Sequence, residues 1–518
     1  MPLSDTPLRP TIGELLRHSV RAFGAEPYLV TPTDRLTYAA ADQRSADLAR
    51  RLLGLGVGKS ARVGLFFAND VEWVAWWLAV SRIGALAVPL STLYTPSELA
   101  KVLRLADVGL LVAPARVLSV DVAEKFEAAL PGLSSQVARQ LQLPGAPYLR
   151  QVVLTGSSAR RWATSWETEC TAAVPPPVLA AVEDEVSPAD LAIMIHTSGS
   201  TADPKGVLHT HGTLVRQTSA WAGVIRGLTG VPASPRILCA MPFFWIGGVL
   251  AAMGALHEPV TVLCLPRLDA GAALDLIERE RANGVVGWPA FTQQLREHPT
   301  FPSRDLSSAP MLSDAPLDLA MRDVPDGYPV HRSMSETAGS FAFTETKVVD
   351  ADGTPVPDRT VGELLIRGNG VMAGYNKRER WEVFDSDGWY RTGDRVYRVD
   401  HDPRLFYVGR TSELIKVAGA NVSPREVEAV IEDFADVAQC LVVGVDHRSR
   451  GEQVCAVVVP AAGPIDLESL VQWTRERLSS YKVPTRWILT AFDQIPTLPT
   501  GKFNRRQLRE LVINGTLS

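Results

Sequence analysis

Thr197, Ser198, Ser200 and Thr201 set four hydroxyls around Gly199, and Lys205 follows directly on Pro204 in the stretch HTSGSTADPKG. Small side chains leave backbone N–H groups able to turn toward an anion, the hydroxyls add donors, and the lysine adds positive charge. This is a recipe for holding a polyphosphate. The apolar run LAIMI just before it reads as a strand that delivers the chain into the loop. The order is not that of a Walker A loop, which needs G-x-x-x-x-G-K followed by Ser or Thr. On its own, a Ser/Thr/Gly loop is equally compatible with an ordinary surface turn.

Further chemistry-bearing residues follow along the chain. MPFFWIGG (Met241 to Gly248) is apolar and aromatic, SMSET carries Glu336, GWYRTGD carries Asp394, GRTSELIKVAGANVSPREVE opens near Arg410, and PTGKFNRRQLR carries Lys502. Taken singly, Asp394 reads as a structural residue at a loop end, Glu336 as a helix cap and Lys502 as a solvated lysine. In this order, together with GELLIRG and the hydroxyl loop, they resemble the signatures of the adenylate-forming superfamily. That superfamily includes acyl- and aryl-CoA synthetases, peptide-synthetase adenylation domains and beetle luciferases. The resemblance runs from about residue 190 to the C-terminus and lies nearest the acyl-/aryl-CoA synthetase branch.

The resemblance implies an ATP-dependent carboxylic acid–CoA ligase that forms an acyl-adenylate with release of pyrophosphate, then moves the acyl group to the CoA thiol. It implies that Thr197, Ser198, Gly199, Ser200, Thr201 and Lys205 embrace the β- and γ-phosphates. Met334, Ser335 and Glu336 would form the adenine and magnesium segment, with Glu336 holding Mg²⁺, a hard cation suited to carboxylate and phosphate oxygens. Asp394 would accept from both ribose hydroxyls, and Arg410 would add donors on the ribose or phosphate side. Lys502 would reach the α-phosphate and the attacking carboxylate, as a mobile point charge on a long stem can. The catalytic set is Thr197, Glu336 and Lys502. Trp245, Gly247 and Ser333 would face the acyl pocket, whose depth also depends on Trp288 to Ala290. Gly419 and Ala420 would adjoin the CoA tunnel once the C-terminal domain has swung about its hinge.

Four positions depart from the family pattern. Ala202 replaces a glycine in the phosphate loop, and Ser412 replaces the usual Asp or Lys of the hinge. Arg332-Ser333 replaces an aromatic-glycine pair that stacks on adenine, a task a guanidinium can also perform. Trp245 stands where histidine is frequent. Amino-acid-activating domains place an aspartate at or near this point; FFW offers none, which favours a plain acyl or aryl acid. Phe243, Phe244 and Trp245 each also read as ordinary core aromatics.

Two other activities fit the same residues. A stand-alone adenylating enzyme would load an acyl carrier protein's phosphopantetheine instead of CoA, and a luciferase-like oxidation of the adenylate is a remoter case. A weakened nucleotide- or acyl-ligand-binding protein would suit Ala202, Arg332, Ser333 and Ser412, but the intact Lys205, Glu336, Asp394 and Lys502 argue against it. The partners implied are a small-molecule carboxylic acid and CoA or a carrier protein. The oligomeric state stays open.

The elements that must position these residues follow from length and pattern. A chain of 518 residues exceeds one core and implies two or more domains. Its 46% hydrophobic and 21% charged residues are those of a globular protein. A net charge of −5 excludes an overall nucleic-acid-binding surface while leaving room for a local basic pocket. Five cysteines without C-x-x-C spacing give neither a zinc site nor a disulfide framework, and a cytoplasmic location is expected. The opening MPLSDTPLRPTIGELL has no basic region followed by an apolar one, so no signal peptide is expected. Ile237 to Leu256 is uncharged over 20 residues, but Pro242 and Gly247-Gly248 interrupt it. A buried strand, loop and helix is therefore expected there rather than a membrane span.

Strand and helix patterns alternate through ARVGLFFAND, VEWVAWWLAVSRIG and ALAVPLS, as a βαβ unit requires. The fold class expected is α/β. Residues 1–409 would form a large N-terminal domain of helix-covered, mostly parallel sheets, and residues 410–518 a small mobile α+β C-terminal domain. DQRSADLARRLLGLGV places Ala46, Ala49, Leu52 and Leu53 on one helical face, with Gly54 as its stop. Residues 157–184 read as connecting loop. Ser423, Pro424 and Glu426 predict a helix start with a capping box, and LESLVQWTRERL predicts a helix with Leu467, Leu470, Val471 and Leu478 along one side.

Overall fold

The computed structural model describes residues 9–156, 160–197, 203–287, 289–312, 332–333, 343–399, 405–410, 414–447, 451–461, 463–497 and 503–517. The chain folds as two compact units. One comprises Met1–Thr92, Leu103–Ile195 and Gly206–Gly409; the other comprises Leu93–Val102, His196–Lys205 and Arg410–Ser518.

The first unit is organised by a helix that is apolar on every side. In Val71–Arg82 every residue except Glu72 is buried, including Trp73, Trp76 and Trp77. A helix without a polar face must be covered all round. Its core cluster joins Val63, Leu65 and Ala87 to Leu29, Ile237 and Val262, so two sheets contribute to one continuous core. The first sheet has eight strands in the order Gly374–Tyr375, Lys205–Thr210, Leu191–Thr197, Leu86–Pro89, Arg62–Leu65, Leu110–Pro114, Gln151–Thr155, Ala163–Ser165. From Leu191–Thr197 to Ala163–Ser165 its pairings are parallel. The second sheet orders Gly284–Val286, Arg236–Cys239, Thr261–Leu263, Pro27–Val30 and Arg35–Thr37, parallel except for the last pair. The parallel pairing of Arg62–Leu65 with Leu86–Pro89 across the tryptophan helix is the expected βαβ unit. A third sheet, with its paired registers antiparallel, is built from Arg332–Ser333, Phe406–Arg410, Tyr390–Tyr397, Gly362–Arg367 and Glu345–Val349.

The second unit packs helices Pro424–Glu432, Leu467–Arg477 and Arg505–Ile513 with a sheet centred on the long antiparallel pair Val437–His447 and Gly451–Pro460.

Several local expectations need correction. Helix Tyr38–Gly54 ends at Gly54 as expected, but the left-handed residue past its end is Gly56, φ +81°, while the missing Cβ of Gly54 makes room for the Ala172 carbonyl oxygen. Residues 157–184 are not all loop, since Pro176–Asp184 is helical and buries Leu179 and Glu183. The capping box is absent: Ser423 occupies the N-cap position and Pro424 the first turn, but the Ser423 side chain makes no cap bond. The Glu426 carboxylate instead lies 2.7 Å from Lys482 Nζ, which also lies 2.7 Å from Glu98. Burial raises the Glu426 pKa above the usual carboxylate range despite that lysine. In Leu467–Arg477 the apolar stripe is narrower than expected, with Leu470 and Thr474 buried and Leu467 exposed. The stretch read as strand, loop and helix folds that way, as Arg236–Cys239 followed by Ile246–Gly254. Among the described residues no helix is long and apolar enough to cross a membrane. All five cysteines are free and buried.

At the end of the tryptophan helix, Arg82 is buried and ties two other helices together, with a third joined through Glu183. Its Nε donates to Glu183 at 2.5 Å, and its Nη1 donates to the Asp42 carboxylate at 2.6 Å and to Ser45 Oγ at 3.1 Å. Arg17, on helix Ile12–Phe23, completes the charge balance by donating to the other oxygen of Glu183 at 2.5 Å. Removing one member of such a network leaves an uncompensated buried charge. Arg82→Ala should therefore destabilise this unit by about 3–5 kcal/mol, read as a lower denaturant midpoint.

Candidate functional site

The hydroxyl loop is suspended between two adjacent strands of the eight-stranded sheet. Leu191–Thr197 is buried along its middle and ends at the half-buried Thr197, and Lys205–Thr210 begins with the half-buried Lys205. Ser198, Gly199, Ser200, Thr201 and Ala202 lie outside the described residues. The strand leaving the loop is pinned close to its neighbours. A Cβ on Gly206 would lie 2.7 Å from Met194 Sδ and 3.2 Å from Asn376 Cβ. The Gly206 carbonyl accepts from Asn376 N at 2.8 Å, while Asn376 Nδ2 donates to the Leu105 carbonyl at 2.8 Å. Both ends of the loop are thus fixed by the sheet, which suits a loop whose job is to present backbone donors.

The third sheet gathers three of the motif segments on neighbouring strands. Ser333 faces Phe406 in the pairing of Arg332–Ser333 with Phe406–Arg410, and the latter strand neighbours Tyr390–Tyr397, which carries Asp394. Met334, Ser335 and Glu336 lie outside the described residues. Asp394 sits in a β-bulge: Glu363 faces Arg395 and Leu365 faces Arg391, so Leu364 alone opposes Thr392, Gly393 and Asp394. Gly393 takes φ +72°. The Thr392 hydroxyl donates to the Leu364 carbonyl at 2.8 Å and accepts from Asp394 N at 3.0 Å. A bulge re-aims a side chain out of the ladder and recurs beside functional sites. Asp394 itself is half-buried.

The apolar segment Met241–Gly248 is a turn between a strand and a helix. Its three aromatics are not equivalent. Phe243 is fully buried, 5.1 Å from the Trp73 ring, and Phe244 is nearly so, which makes both core residues. Trp245 is half-buried at the N-cap position of Ile246–Gly254. A Cβ on Gly247 would meet Met241 Cε at 2.4 Å, and one on Gly248 would meet the Pro242 carbonyl oxygen at 2.3 Å. The glycines let the helix start fold tightly back on the turn. Asn69, which the sequence reading did not single out, holds the same turn by its backbone: Nδ2 donates to the Met241 carbonyl at 3.0 Å and Oδ1 accepts from Phe243 N at 2.8 Å. Trp288 lies outside the described residues.

In the second unit, Val417 pairs with Ala420, and the two residues joining them, Ala418 and Gly419, have φ of +47° and +85°. Two consecutive left-handed residues form the tight hairpin turn that matches strand twist. Gly419 is exposed and Ala420 is buried. Lys502 and Ser412 lie outside the described residues; Thr497 and Phe503, on either side of Lys502, form an antiparallel bridge. Arg410 ends its strand. Among the described residues no group of three or more His, Cys, Asp or Glu is placed to hold a metal ion.

Two buried histidines, His196 just before the loop and His211 at the start of the helix after the next strand, were not singled out from the sequence. Burial lowers the pKa of His196 and of His211 to about 4, and both ring nitrogens of His196 lack a hydrogen-bond partner. His211 Nδ1 accepts from Ile12 N at 3.3 Å.

Comparison with known proteins places these features in context. Residues 16–324 match the model of the AMP-binding enzymes, and residues 426–502 match that of the AMP-binding enzyme C-terminal domain. A feruloyl-CoA synthase of an Amycolatopsis species is 31% identical over 503 residues, covering 92% of this chain and 93% of its own. A methyl-dioxo-octahydro-indenyl-propanoyl:CoA ligase of Mycobacterium tuberculosis is 29% identical over 532 residues, covering 97% and 99%. Among solved structures, the amide bond synthetase McbA from Marinactinospora thermotolerans superimposes with a TM-score of 0.74 at 26% identity, covering 96% of this chain and 99% of its own.

The histidines give a pH prediction. Their folded-state pKa is depressed from 6.5, so as pH falls below 6.5 the unfolded chain takes up protons that the folded chain refuses. Stability should fall between pH 6.5 and about 4. His196→Phe should flatten that fall, measured as denaturant midpoints at about pH 7 and about pH 5.

Proposed function

We propose, on the premise that this chain belongs to the AMP-binding enzyme family, that it activates a hydrophobic aryl or alkyl carboxylic acid with ATP and passes the acyl group to the thiol of CoA. The observation that carries this reading is agreement with relatives named as CoA ligases over more than nine-tenths of the chain.

Joining a carboxylate to ATP brings two anions together and builds charge at the α-phosphorus as pyrophosphate leaves. Preorganised donors and cations stabilise such charge most where water is excluded. Thr197, Ser198, Gly199, Ser200, Thr201 and Lys205 would hold the β- and γ-phosphates, and the two pinned strands support that role. Asp394, lifted by its bulge, would accept from the ribose hydroxyls, with Arg410 adding donors. Met334 and Ser335 would border the adenine, and Arg332 could supply the stacking plane that an aromatic supplies elsewhere in the family. One carboxylate, Glu336, suits magnesium, which takes its remaining ligands from phosphate oxygens and water. When bound, Mg²⁺ supplies charge neutralisation on the phosphates. Lys502 would neutralise the α-phosphate and the incoming carboxylate. Residues 410–518 would then move so that Gly419 and Ala420 border the CoA thiol's approach.

Trp245 supports the choice of acid, since it is the one aromatic of its segment not sealed in the core, and neither Gly247 nor Ser333 brings a charge to pair with an amino group. A second acceptor has its own support. The likeness to an amide bond synthetase favours transfer of the same adenylate to an amine. A carrier-protein phosphopantetheine is the third acceptor to compare.

Hydroxamate trapping over short, long, aromatic and polycyclic acids should reveal ATP-dependent adenylation of a hydrophobic subset. Mass detection should then find the acyl-CoA in preference to amide or acylated carrier protein. Lys502→Ala should lower adenylation by about a hundredfold or more; undiminished pyrophosphate exchange in that variant would remove the lysine from the mechanism.

A further inference from the structure

Asn69 lies 172 and 174 positions from the two backbone groups it binds. Those groups, the Met241 carbonyl and the Phe243 amide, bracket Pro242 in the turn that leads to Trp245. The Pro242 carbonyl accepts from Trp245 N at 3.1 Å, and the same turn is pressed against Gly248. Trp245 is therefore four residues or fewer from every anchor of its own backbone.

Asn69 is itself held on both sides. Its carbonyl accepts from Cys264 Sγ at 3.6 Å. The next residue, Asp70, caps the tryptophan helix by accepting from Trp73 N at 2.8 Å, and the Trp73 ring packs on Phe243. A side-chain amide donates from its nitrogen and accepts at its oxygen, so one residue can bind a carbonyl and an N–H two positions apart. Aspartate keeps the acceptor and loses the donor; alanine loses both. The side chain is buried, so water does not readily take its place.

We propose that Asn69 is a positioning residue for the acyl pocket: its side-chain amide fixes the Met241–Phe243 backbone, and through it the place of Trp245, so that Asn69 tunes which acid is accepted without touching it. This rests on the reading of Trp245 as a pocket residue. A misplaced pocket wall changes binding of the acid, whereas ATP binding depends on segments Asn69 does not contact.

The test compares wild type with Asn69→Asp and Asn69→Ala. The KM for the preferred acid should rise roughly tenfold in Asn69→Asp, equivalent to losing one buried hydrogen bond, and further in Asn69→Ala. The KM for ATP should stay within about twofold, and the ranking of acids should change. Amide hydrogen exchange of the 240–247 segment, read without substrate, should quicken about tenfold or more in both variants. Loss of kcat alone, with both KM values and the acid ranking unchanged, would assign Asn69 a merely structural role and overturn the proposal. So would unaltered exchange, or failure of both variants to fold. If the wild type adenylates no acid while the exchange result holds, the ligase reading fails and the backbone clamp survives; if the wild type is active and the variants match it, the clamp fails and the ligase reading survives.

Discussion

A helix with tryptophan at three of five consecutive positions and no polar stripe cannot rest on a single surface. Val71–Arg82 is covered by helices Tyr38–Gly54 and Ile12–Phe23 and by strands Arg62–Leu65 and Leu86–Pro89, and its core cluster extends to both parallel sheets of the large unit. Each fully buried large side chain contributes about 1.5–3 kcal/mol by leaving water, so this helix is a major source of stability. Its two ends are where polarity is admitted. At the start, Asn69 and Asp70 bind backbone; at the finish, Arg82 ties together carboxylates from separate helices. Phe243, in the aromatic turn, packs on Trp73 of this helix and belongs to the same core cluster.

The polar site needs the opposite treatment. Backbone donors that face a ligand cannot also close on one another, so a loop proposed to present them relies on what lies beside it. Here the support lies beside it, in adjacent strands whose close approach at Gly206 admits no side chain. Asp394 shows the same division: a regular ladder on both sides, and a bulge at the residue itself. On the proposed reading, local donors rather than overall charge let an acidic chain hold a polyphosphate.

Periodicity made the framework readable. The βαβ unit, the tryptophan helix and the interrupted apolar stretch near residue 246 all follow from local pattern, and the family motifs named the candidate residues in order. What escaped notice depends on partners far away in the chain. Ser423 and Glu426 have the right spacing for a capping box, yet Lys482, 56 positions from Glu426, binds the carboxylate instead. Gly54 ends its helix as read, but the room its missing side chain leaves for Ala172 depends on a distant segment. Pro175-Pro176 suggested loop, although proline at a helix start is well tolerated. Asn69 sits in an unremarkable Asn-Asp pair, and no window around it contains the turn that it grips. The bulge at Asp394 was equally hidden, since it appears only when two strands are laid side by side.

Every thiol of the chain is sheltered, and burial pushes the Cys239 and Cys455 thiols up to about 12 and about 11. Thiolate is the reactive form, so maleimides and mild oxidants have no ready target on the folded surface. A single cysteine introduced at an exposed site would give a uniquely addressable handle for fluorophores or immobilisation, with the native sulfurs left in place.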